Sequence, residues 1–127
     1  MGLFFLVCLG GAVGTAARYL LGVSIQAAFG PSFPIGTLSV NLIGSFLISM
    51  LMYLGVDKGL ISTNLRIVVC TGVMGGFTTY SSFNFETMRL WQQGSFWLGL
   101  LNVGLTVVGC LVAGALGLLT GRLIGGA

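Results

Sequence analysis

The stretch "GGFTTYSSF", Gly75 to Phe83, decides how this chain is read. It sits in a charge-free run from Ile67 to Phe85, and the residues leading in, "IVVCTGVMGG", are those of a membrane span. Two glycines, two threonines and two serines nevertheless crowd its middle. Gly75 and Gly76 each cost about 1 kcal/mol relative to alanine inside a helix. Thr78 and Thr79 are β-branched and can bond to backbone. A break here would leave the carbonyls of Gly75 to Thr78 without helical partners and put the negative end of a half-helix in mid-membrane. Such oxygens suit a hard cation such as Na⁺, with about two well-aimed carbonyls from one chain and about four from two chains around a dyad. A continuous helix that uses its glycines for packing is the alternative.

The rest of the chain fits the same setting. Of 127 residues, 56% are hydrophobic and 6% charged, a membrane composition. Charge is absent from Met1 to Ala17, Tyr19 to Val56, Ile67 to Phe85 and Leu90 to Gly121, so four spans fit, with almost nothing left for a soluble domain. They are expected at Leu3 to Val23, Pro34 to Val56, Arg66 to Gln93 and Phe96 to Leu123, as one domain over residues 1–127. "GPSFP" (30–34), "GVDKGLISTN" (55–64) and "QQGS" (92–95) form the connections. The first apolar run lacks a basic leader and a small-residue cleavage site, so it is expected to stay as a span.

Chemistry of other kinds has little to work with. There is no histidine, the only acids are Asp57 and Glu86, and Cys8, Cys70 and Cys110 all lie in apolar runs with no C-x-x-C pair. A catalytic or transition-metal cluster is therefore not expected, and an enzyme is improbable. The net charge of +3 is spread over separate segments and offers no nucleic-acid surface.

After the possible break, Thr79, Ser82, Glu86, Arg89 and Gln93 recur at spacings of 3, 4, 3 and 4, on one helical face. A polar stripe in a span must face protein or water. Glu86 and Arg89 are spaced to neutralise each other. Tyr80, Phe83 and Thr87 form a neighbouring stripe. Asn41 in "GTLSVNLIGSF" (36–46), and Asn102, Thr106 and Cys110 in the fourth span, are either interhelical glue or the lining of a path. Arg18, deep in the first span, either snorkels to the interface or attracts anions.

Four spans put Lys58, Arg66 and Arg122 on one side and Arg18 and Arg89 toward the other, hardly the excess that fixes orientation. Insertion both ways would allow an antiparallel homodimer about an axis in the membrane plane. A distant factor fixing one orientation is the alternative. Gly10 with Gly14, Gly72 with Gly76 and Gly117 with Gly121 would allow close backbone approach.

"GTLSVNLIGSF" followed by "TGVMGGFTTYSSFNFET" resembles the signature segments of the Fluc (CrcB) fluoride channels, and the likeness runs along essentially the whole chain. The resemblance implies an all-α membrane protein of four transmembrane helices per chain, the third broken, in an antiparallel dual-topology homodimer of the bacterial inner membrane. It implies passive, fluoride-selective export through two antiparallel pores, which lowers fluoride toxicity. A central structural Na⁺ would be held by backbone carbonyls of Gly75 and Thr78 from both subunits. Asn41, Ser82, Phe83, Glu86 and Arg18 match the family's pore positions. Tyr80 stands where the family has the first of two pore phenylalanines, and adds a hydroxyl that can donate to an anion or block its path. The rival reading is a small multidrug-resistance-type proton-coupled exporter, but that family depends on a first-span acid and this first span has only Arg18.

Overall fold

A computed structural model describes residues 1–126, and every element among them is helical. Helix α1 spans Gly2–Phe29. It runs past the expected end because no breaker occurs before Gly30, whose φ of +83° is a conformation that glycine alone adopts freely. Gln26 fastens the turn that follows: its amide donates to the Gly30 and Phe33 carbonyls at 2.6 and 2.9 Å and accepts from the Gly36 N–H at 3.0 Å.

Helix α2 spans Ile35–Met52 and continues as a π-helical turn over Tyr53–Asp57. Helix α3, Thr63–Arg66, is capped by the Ser62 hydroxyl, which accepts from Leu65 N–H at 3.3 Å. It widens into π-helical turns over Ile67–Val73 and tightens again as α4, Met74–Phe77. Helix α5 spans Tyr80–Gln92, and α6 spans Phe96–Gly125. Gly94, at φ +81°, makes the turn between them.

Gly2–Phe29, Ile35–Asp57 and Phe96–Gly125 are each long and apolar enough to cross a membrane. The apolar stretch between the second and the last of these is divided. Residues 63–77 and α5 rise only about 20 Å each at 1.5 Å per residue, short of a hydrocarbon core of about 30 Å. Together they suffice.

The interruption falls on Thr78 and Thr79. Thr78 (φ −87°, ψ 156°) and Thr79 (φ −149°, ψ 118°) are extended, while Gly75 and Gly76 stay helical. Gly76 is held there by close packing, whereas Gly75 faces open space. A Cβ on Gly76 would overlap the Gly11 carbonyl, and one on Gly14 would overlap the Val73 carbonyl and come 2.9 Å from the Phe77 amide nitrogen. One on Gly10 would approach Val68 O at 2.8 Å, and one on Gly72 would approach Val7 O at 2.8 Å. The pairs Gly10/Gly14 and Gly72/Gly76 thus seat α1 against residues 63–77 within one chain. Gly117 and Gly121 likewise seat α6 on Phe46, Met50 and Tyr53 of α2 and its π-helical end. All three small-residue pairs serve the fold of the single chain.

Candidate functional site

Two extended threonines between helices expose backbone groups that must find partners. Asn41, on α2 and only 8% exposed, supplies two of them. Its Nδ2 donates to the Thr79 carbonyl at 2.9 Å, and its Oδ1 accepts from the Thr79 N–H at 2.8 Å. The side-chain amide pairs with the backbone as a neighbouring strand would. Asn41 is therefore first a clamp on the break, with one N–H of its amino group still uncommitted.

Other groups divide the remaining work. Arg18 Nε donates to Gly76 O at 2.9 Å, so its cation sits at the C-terminal end of α4, where the helix dipole favours it. Arg18 does not snorkel away. The Thr78 hydroxyl returns to Met74 O at 3.0 Å, and Thr79 caps α5 by accepting from Ser82 N–H at 3.1 Å. No donor among the described residues reaches the carbonyls of Gly75 or Thr78.

The break stands between two clefts that share Thr79. The first, of about 1000 Å³, is lined by Asn41, Ser45, Ser49, Tyr53 and Asp57 along α2 and its end, by Tyr80 and Phe83, and by Thr106 and Cys110 of α6. The second, of about 610 Å³, is lined by Arg18 and Gln26, by Thr37, and by Ser82, Glu86, Arg89 and Gln93. The expected pore residues do not form one group. Asn41, Tyr80 and Phe83 line the first cleft; Arg18, Ser82 and Glu86 line the second.

Three further expectations are corrected or resolved. Glu86 accepts from the Thr37 hydroxyl at 2.5 Å, and no ion pair with Arg89 is present among the described residues. A hydroxyl from α2 has taken the place of the charge one turn away. Asn102, 2% exposed, donates to Thr87 Oγ1 at 2.9 Å, and Thr87 donates to Phe83 O at 2.8 Å. Asn102 and Thr87 are therefore glue between α5 and α6, whereas Thr106 and Cys110 of the same stripe face the first cleft. The Tyr80 and Phe83 rings meet edge to face at 5.5 Å and 70°. Phe83 is 7% exposed and Tyr80 78%, so Tyr80 projects beyond the body of the chain.

Ser45, Ser49, Thr37 and Gln26 were not singled out from the sequence. The signal for the serines was present: Asn41, Ser45, Ser49 and Tyr53 recur every four residues on α2 and its continuation, which places them on one face.

A family model described as CrcB-like protein, Camphor Resistance (CrcB), matches residues 5–118. Among curated relatives, a protein of Sorangium cellulosum (strain So ce56) is 51% identical over 94% of both chains. One of Anaeromyxobacter sp. (strain K) is 50% identical over 89% of this chain and 90% of its own. One of Magnetococcus marinus (strain ATCC BAA-1437 / JCM 17883 / MC-1) is 48% identical over 93% and 96%. All three carry the name fluoride-specific ion channel FluC.

Proposed function

The chain belongs to the CrcB-like protein family, a multi-pass membrane protein, and we propose from that premise that it is a passive fluoride channel. The observation that carries the reading is 51% identity over nearly the whole of both chains to a protein named for that activity. The names of the relatives are those of channels, not enzymes. The chemistry at the break supports it. Fluoride is small and strongly hydrated, so it must exchange water for other donors without meeting a full charge that would trap it. The second N–H of Asn41, the Thr106 hydroxyl and the positive ring edges of Tyr80 and Phe83 are such donors. Arg18, Ser82 and Glu86, in the second cleft, form a wider polar approach in which Arg18 raises the local potential for an anion.

The working unit is an antiparallel dual-topology homodimer in the bacterial inner membrane, with two pores. A structural Na⁺ on its axis fits the residues present. The Gly75 and Thr78 carbonyls have no donor among the described residues, and Gly75 is exposed, with open space where a side chain would begin. These oxygens, one pair from each subunit, would hold the ion. When bound it supplies a fixed positive charge that joins the two chains.

Proteoliposomes followed with a fluoride-selective electrode should release fluoride far faster than empty vesicles, and Phe83→Ile should slow release roughly tenfold or more by removing a ring edge. Release no faster than from empty vesicles would overturn the reading. Single cysteines at either terminus should label from both sides of the membrane; labelling from one side alone would overturn dual topology.

A further inference from the structure

Hydroxyls on membrane helices ordinarily return to the carbonyl four residues back, which hides the donor from hydrocarbon. This chain does so at Ser24, Thr78, Thr87 and Thr120, with distances of 2.7 to 3.0 Å. Ser45 and Ser49 do not, nor do Thr15, Ser39, Thr71, Ser82 and Thr106, and of these only Ser45, Ser49 and Thr106 line the first cleft. Neither the Ser45 nor the Ser49 side chain makes a hydrogen bond among the described residues, and both lie one and two turns along α2 from Asn41.

The space over them is kept open from the other side. Gly114 of α6 faces Ser49, and a Cβ there would lie 3.1 Å from Ser49 Oγ, tighter than ordinary contact. Beyond Ser49 the cleft continues to Tyr53 and Asp57 at the end of the span. At 1.5 Å rise per residue, Asn41, Ser45 and Ser49 stand about 6 Å apart, a step that a small anion can take between neighbouring donors.

We propose that Ser45 and Ser49, with the gap held open by Gly114, carry fluoride along α2 from Asn41 toward the Asp57 end of the first cleft. The inference rests on the channel reading and extends the path beyond the aromatic pair at the break. The two hydroxyls replace water one ligand at a time. Being uncharged, they release the ion to the next donor.

Fluoride release from proteoliposomes tests this with two variants that act in opposite ways. Ser45→Ala/Ser49→Ala removes the donors and leaves the space; Gly114→Val fills the space and leaves the donors. Both should elute on gel filtration as the wild type does and should lower the release rate roughly tenfold or more, as expected for loss of ligands to a desolvated ion. A readout on the unaltered fold uses Cys110, which lines the same cleft. Silver ion in chloride-free buffer should arrest release by the wild type, and Cys110→Ala should abolish that arrest. Wild-type release with both folded variants within about twofold of it, and no response to silver, would overturn this inference alone. A wild type that releases no fluoride would overturn the channel reading and this inference with it.

Discussion

The two clefts on either side of Thr79 differ in whether their polar groups are already engaged. In the smaller one most strong groups are committed: Arg18 to the Gly76 carbonyl, Glu86 to Thr37, and Gln26 to three backbone groups of the turn after α1, while the exposed Arg89 has no partner among the described residues. In the larger one Ser45, Ser49, Thr106 and Tyr80 make no hydrogen bond among the described residues, and its only ionisable acid is Asp57 at the far end. Charges placed in hydrocarbon are expensive and acquire fixed partners, which makes them part of the architecture. Neutral hydroxyls and amides are less costly to leave open, and those can serve a passing ion.

The largest expected effect breaks the floor on which both clefts rest. Gly14→Val would drive methyl groups into the Val73 carbonyl and separate α1 from residues 63–77, so the yield of monodisperse protein on gel filtration should fall to near zero. Next comes the clamp between the clefts. Asn41→Ala leaves the N–H and C=O of Thr79 unpaired at a cost of about 2–4 kcal/mol, and removes a pore donor. Fluoride release by the surviving folded protein should drop roughly a hundredfold, and the melting temperature should fall with it.

Smaller effects sharpen the contrast. Glu86→Gln keeps an oxygen to accept from Thr37 and removes only the charge, so release should change by about threefold at most. A hundredfold loss would mean that the committed cleft governs conduction as fully as the open one. The smallest effect belongs to Tyr80→Phe, whose hydroxyl donates to nothing among the described residues. Thermal stability should be unchanged and release should shift within about twofold, the ring edges being retained. A larger change would make that hydroxyl a ligand of the ion.

Much of this was legible in the one-dimensional pattern. Charge-free runs of span length coincide with the three helices long and apolar enough to cross, and the interruption at Thr78 and Thr79 lies inside the polar stretch "GGFTTYSSF", because a membrane leaves such residues few tolerable roles. The stripe Thr79, Ser82, Glu86, Arg89, Gln93 does line one cleft together, as its spacing required. What spacing cannot give is the partner. Glu86 and Arg89 are near neighbours in sequence, yet Glu86 bonds to Thr37 on another helix. Asn102 and Thr106 share a stripe, yet one is glue and the other lines a cleft. Within that stretch the break falls on the threonines for the same reason. Glycine lowers helix propensity anywhere, but Gly76 lies where the Gly11 backbone needs room, and Thr79 lies where Asn41 can pair with its freed backbone. Hydropathy and composition, which act residue by residue, determined that this chain belongs in a membrane. Which polar groups are spent on one another and which remain open to an ion was decided only by the packing of helices distant in sequence, since a hydrogen bond is satisfied by position and not by composition.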